Sequence, residues 1–113
     1  MAANRRRGEI AARIDGQERI LCLTLGALAE LESAFAVDDL GALAQRFSAG
    51  RLSARDLIRV VGAGLRGGGM AVGDDEVAIM KAEGGAAGFA AIAAELLAAT
   101  FGAGGEEEGQ PNP

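Results

Sequence analysis

Gly62-Ala63-Gly64-Leu65-Arg66-Gly67 spells G-x-G-x-x-G, the spacing at which glycines let a backbone approach a dinucleotide pyrophosphate. Glu83 follows near the distance where an acid would hold a ribose hydroxyl. That chemistry needs a strand before the glycines and a helix after them. Here a capped helical pattern precedes them, and more glycine, Gly67-Gly68-Gly69, follows. A chain with Gly at 18 of its 113 positions produces such a spelling by chance. No nucleotide site is expected.

The remaining reactive residue types are few. Arg5-Arg6-Arg7 is the single basic cluster, suited to a phosphate backbone or an acidic partner. Three arginines neutralise only a few phosphates, and no aromatic residues accompany them as a stacking platform. A solvated terminus is the simpler expectation. Cys22 stands alone among aliphatic residues, without the base and electropositive setting that a catalytic thiolate requires, so an inert thiol is expected. Asp38-Asp39 and Asp74-Asp75 offer paired carboxylates, but both precede helical patterns, where negative charge suits the helix dipole. No D-x-D-x-D-G ladder is present to hold calcium. Metal, cofactor and catalytic residues are therefore all expected to be absent.

Composition points the same way. The chain has no His, Trp or Tyr, one Cys, four Phe and a formal net charge of −5. Without histidine it lacks both the usual proton shuttle near neutral pH and an imidazole metal ligand. A lone cysteine forms no internal disulfide, which fits a reducing compartment. A sequence pI of about 4.7 argues against nucleic acid as a partner. The basic start runs straight into Gly8-Glu9 without the apolar core of a signal peptide, and no apolar run reaches the ~18–20 residues of a bilayer span. A cytoplasmic protein without a membrane or small-molecule partner is expected.

The elements that must position these residues begin with a hairpin. Glu9–Ile14 and Arg19–Thr24 flank Asp15-Gly16, a dipeptide that adopts positive φ cheaply and favours a tight turn. Ile10 and Ile14 share one face, and Leu21 and Leu23 oppose Ile20 and Cys22 on the return strand. A two-stranded hairpin is marginal alone and must lie against helices. From Thr24, an expected N-cap, the period becomes helical through Leu25, Leu28, Leu31 and Phe35. A second helix starts at Asp38 or Asp39, carries Leu40, Leu43, Ala44 and Phe47, and ends at Gly50.

Ser53-Ala54-Arg55-Asp56 sets a hydroxyl at an N-cap and a carboxylate three residues on, a capping box. Leu57, Ile58, Val61 and Leu65 form the expected buried stripe of this third helix, with Arg55, Arg59 and Arg66 off it. A helix-turn-helix made of Asp39–Phe47 and Leu57–Leu65 fails on its long connector and sparse arginine face. Asp74-Asp75-Glu76 opens a short helix with Val77 and Met80. After Gly84-Gly85, a last helix shows Phe89, Ile92, Ala93, Leu96 and Thr100 on one face. The expected fold class is α+β: an N-terminal two-stranded antiparallel hairpin packed on a small bundle of four to five short helices. The expected organisation is a flexible basic arm over 1–7, one domain over 8–101 and a disordered acidic tail over 102–113.

Taken in order, several segments resemble one family: Asn4-Arg5-Arg6-Arg7-Gly8-Glu9, then Leu23-Thr24-Leu25-Gly26-Ala27-Leu28-Ala29-Glu30-Leu31-Glu32, then Asp39-Leu40-Gly41-Ala42-Leu43. Gly50-Arg51-Leu52-Ser53-Ala54-Arg55-Asp56 and Gly62-Ala63-Gly64-Leu65-Arg66 complete the set. The chain is similar to the small tail protein of alphaproteobacterial gene transfer agent clusters, among the tail assembly chaperone-like families of phages. The resemblance covers roughly Asn4 to Phe101.

It implies a non-enzymatic role in building a phage-like tail, in the bacterial cytoplasm and in association with phage-like particles. The leading expectation is a tail assembly chaperone that binds the tape-measure protein and other tail proteins during morphogenesis, with self-association left open. Members of this family are also labelled tail tube proteins, so a structural tail component is the alternative. The leading reading rests on there being too few strands for a sandwich or barrel. A small DNA-binding regulator is third. Helix-in-groove binding is the expected mode. The expected partner-binding residues are Leu25, Leu28, Leu31, Phe35, Phe89, Ile92 and Leu96.

Overall fold

Asp15 and Gly16 both adopt left-handed backbone, φ 54° and 78°, and so reverse the chain in two residues. They join β1 (Glu9–Ile14) to β2 (Gln17–Cys22) in a computed structural model that describes residues 2–48 and 51–102. The antiparallel register places Ile10 opposite Leu21 and Ile14 opposite Gln17. Ile10, Ile14 and Leu21 are buried on the inner face, as the alternation requires, and Ile20 and Cys22 are half-buried on the other. The turn is itself held. The Asp15 N–H donates to the Lys81 carbonyl at 2.7 Å, and the Lys81 N–H donates to Asp15 Oδ1 at 2.9 Å.

The helices start where side-chain oxygens can accept their first N–H groups. Thr24 Oγ1 accepts from the Ala27 N–H at 3.1 Å and opens α1 (Leu25–Ala34). Asp39, rather than Asp38, accepts from the Ala42 N–H at 2.8 Å and opens α2 (Leu40–Ser48). The expected stop at Gly50 lies outside the described residues. Ser53 and Asp56 exchange both bonds of a capping box at the start of α3 (Ala54–Gly67). The short α4 (Asp74–Val77) and the longer α5 (Gly85–Phe101) follow in the expected order. The fold is α+β, a hairpin against helices, and no helix among the described residues is long and apolar enough to cross a membrane.

Helix α3 is the axis of the packing, touching β2, α1, α4 and α5. Val60, Val61, Ala63 and Leu65 are fully enclosed, whereas Leu57 and Ile58 of the expected stripe are only half-buried. The physical reason lies in the small residues. Gly62, Ala63 and Gly64 present almost no side chain, so neighbours close on α3 from several sides instead of along one stripe. A Cβ at Gly64 would collide with Leu96 and crowd Leu21, and one at Gly67 or Gly68 would overlap the carbonyl oxygens of Cys22 or Ile20. Each large aliphatic side chain enclosed this way contributes about 1.5–3 kcal/mol.

Arg5–Arg7, expected within an arm, form a single 3₁₀ turn capped by Asn4, whose Oδ1 accepts from the Arg6 N–H at 3.0 Å. Arg5 reaches Glu95 of α5 at 3.4 Å. The acidic tail expected over 102–113 lies outside the described residues from 103 onward.

Candidate functional site

The residues that could do chemistry are occupied in holding the fold. Gly62, Gly64 and Gly67 sit inside α3, where their N–H groups belong to the helix and their bare Cα atoms admit neighbouring elements. A phosphate cradle is ruled out there, because the glycines of a dinucleotide loop must precede a helix with free N–H groups. Arg66 donates to the Val72 carbonyl at 2.9 Å and to Asp74 Oδ1 at 3.1 Å, and its other nitrogen meets Glu30. Burial works against the Arg66 charge, but the bonds and charges of Glu30 and Asp74 outweigh it and raise its pKa further. One guanidinium thus ties α1, α3 and α4 together.

A second tie joins α2 to α3. Arg46 pairs with Asp56 at 3.2 Å, and its guanidinium lies 5.0 Å from the centre of the Phe35 ring. Phe35 meets Phe47 edge to face, with centroids 5.2 Å apart. Burial would raise the Asp56 carboxyl, yet the Ser53 backbone N–H, the Arg46 guanidinium and the Ser53 hydroxyl prevail and hold it below the usual carboxylate range. The Cys22 thiol points at the Arg7 carbonyl, 3.6 Å away. Burial first, and then the Glu9 charge, push its pKa up against the pull of Arg7, which is opposite to what a nucleophile needs. Asp39 caps α2 and Asp74 serves Arg66, so neither aspartate pair is arranged around a metal. Among the described residues no group of three or more acidic or cysteine side chains could hold a metal ion.

What the molecule offers to others is apolar surface. A cleft of about 170 Å³ opens between α3, α4 and α5, floored by Leu57, Ile58, Val61, Val77, Met80 and Phe89. A larger groove lies between α2 and α5, with Ala44, Phe47, Leu52, Ala94, Leu97 and Phe101 along it. Two large side chains stand almost free of the fold, Leu25 at 78% exposure and Ile79 at 79%.

The residues read from the sequence as partner-binding fall into three groups. Leu28, Leu31 and Leu96 are in the core. Phe35 and Ile92 are half-buried against it, Phe35 through its contact with Phe47. Leu25 is exposed, and Phe89 lines the α3–α4–α5 cleft. Helical spacing on α1 and α5 identified apolar faces without separating the side facing α3 from the side facing solvent. Ile79, also exposed, lies outside that set, because a lone isoleucine beside a short acidic helix carries no periodic signal.

The chain matches the family described as "Phage tail tube protein, GTA-gp10" over residues 7–103. It matches no curated protein and no solved structure.

Proposed function

Because the chain belongs to the GTA-gp10 phage tail tube protein family, we propose that it is a structural component of the tail of a gene transfer agent or related phage-like particle. It works by contact with other tail proteins rather than by catalysis. The observation that carries this reading is the extent of the family match, which spans every strand and helix from β1 to α5. The arrangement of side chains supports it. Arg46, Arg66, Asp56, Asp74 and Glu30 serve caps and ion pairs, the thiol is half-buried, and apolar side chains line grooves between helices. The protein is made in the bacterial cytoplasm and joins the particle as the tail assembles.

The family description shifts the weight away from the chaperone role that leads on strand content alone. That role remains a second reading, favoured by one observation. Among the described residues the only sheet has two strands, too few to form a barrel wall from a single subunit. In that reading the α2–α5 groove receives a helix of the tape-measure protein.

Purified particles separate the two. In a structural role the chain co-purifies with intact tails and withstands a high-salt wash. If it is absent from tails but bound to soluble tape-measure protein in lysates of assembling cells, the chaperone role holds instead.

A further inference from the structure

The segment that carries α4 is tied to the rest of the fold at two places. At its start, Arg66 of α3 donates to the Val72 carbonyl at 2.9 Å and to Asp74 Oδ1 at 3.1 Å. At its end, Asp15 of the hairpin turn and Lys81 exchange hydrogen bonds of 2.7 and 2.9 Å, beside a single bridge between Ile14 and Ala82. Between these ties the hydrogen bonds are local. The Gly73 N–H donates to Glu76, the Ala78 N–H to Asp74 and the Met80 N–H to Val77. From Asp75 to Met80, no hydrogen bond among the described residues leaves the segment.

Both ends can pivot. The Met70 N–H closes the end of α3 on the Leu65 carbonyl, and the exposed Ala71 after it makes no hydrogen bond among the described residues. At the far end Gly84 and Gly85 turn the chain into α5 at φ 87° and 61°, and a Cβ built on Gly85 would meet nothing within 4 Å. Small, unpacked residues at the ends of elements are where a chain absorbs a change of backbone angle.

The packing between the pivots is thin. Val72 and Val77 are buried, whereas Asp75, Glu76, Ala78 and Ile79 are exposed. Val77 sits over Gly62 of α3 and also lines the cleft of about 170 Å³, with Ala78 and Met80 on the same side. An unfilled cleft forfeits the contacts that close packing supplies, and a four-residue helix adds little of its own. In α3, by contrast, Val60, Val61, Ala63 and Leu65 are fully enclosed.

We infer that residues 72–83 form a strap over α3 that opens and closes as one unit while the hairpin and the other helices stay folded. Ala71 and Gly84-Gly85 are its hinges, and Arg66 and Asp15 hold its two latches. Opening withdraws Val77 and so bares Gly62 together with the cleft floor of Leu57, Ile58, Val61 and Phe89. The strap is independent of the tail reading, which particle content decides.

Hydrogen exchange of the folded full chain, followed by NMR, tests it. The amides of Val77, Ala78, Met80 and Lys81 are expected to share one opening constant, larger than that of the α3 amides Val61 to Leu65. Ser53→Ala removes the cap at the opposite end of α3, which strap opening leaves intact. It is expected to speed exchange of the α3 amides about fivefold and to leave the strap amides unchanged. Asp74→Ala removes a latch and is expected to speed the four strap amides together by about three- to tenfold. Strap amides that match the α3 amides and follow Ser53→Ala would show that the segment opens only when the whole chain unfolds, and would overturn the inference. So would four strap amides with widely different opening constants, or no response to Asp74→Ala.

Discussion

Gly67 of α3 lies against the carbonyl oxygen of Cys22 in β2 so closely that a Cβ built on it would overlap that oxygen. Gly68 stands in the same relation to Ile20. The end of the central helix therefore meets the hairpin backbone to backbone, an approach only glycine permits, with Cα–H groups facing carbonyls. Gly67, the last glycine of the G-x-G-x-x-G spelling, and Gly68 after it form a docking edge for the hairpin.

Gly67→Ala is accordingly expected to destabilise the chain by about 1–3 kcal/mol, because backbone atoms must move to admit the methyl group. Gly41→Ala in α2 is the contrast. Its Cβ would meet only Asp39 Oδ1, at an ordinary 3.5 Å. A gain of several tenths to about 1 kcal/mol is expected there from helix propensity. Urea unfolding of the two variants checks the pair, and equal effects would show that the close approach to β2 does not constrain the fold.

Acid should weaken the start of α3. Asp56 titrates below an ordinary carboxylate in the folded chain, so its contribution is complete above the unfolded value of about 4 and is lost as pH falls from there through the lower folded value. Ser53→Ala removes the cap and is expected to cost about 1 kcal/mol at neutral pH. Asp56→Asn should flatten the decline of stability across that acid window. An unchanged slope in Asp56→Asn would contradict the assignment.

Arg66→Met should be among the more damaging arginine changes. It leaves Glu30, Asp74 and the Val72 carbonyl without their shared donor, and a loss of about 1–3 kcal/mol is expected. Arg55→Met, at an exposed position with no ion pair among the described residues, is expected to stay within about 0.5 kcal/mol. Thermal unfolding of the two variants distinguishes them, and matching midpoints would refute the three-element tie.

Local chemistry made much of this fold readable. Asp15-Gly16, Thr24 and the Ser53–Asp56 box each act within a few residues, and each sits where its side chain or backbone preference places it. Long-range choices were hidden. Nothing near Arg66 in sequence indicates that Glu30 and Asp74 converge on it, while Arg55 and Arg59, on the same flank, make no ion pair among the described residues. Burial on α3 departs from the expected stripe because Gly62, Ala63 and Gly64 give the helix no large side chains to define a face there, and the partners that close on them come from β2, α4 and α5. At the surface, the apolar spacing of α1 and α5 could not divide Leu25 and Phe89 from Leu28, Leu31 and Leu96.

The most direct test of the structural role is the number of copies of this chain in finished tails, measured by quantitative mass spectrometry against the other tail proteins of the same particles. A structural component is expected in a fixed, multiple copy number that stays constant between preparations. A chain lost from finished tails, and found only with unassembled tail proteins, would contradict that role.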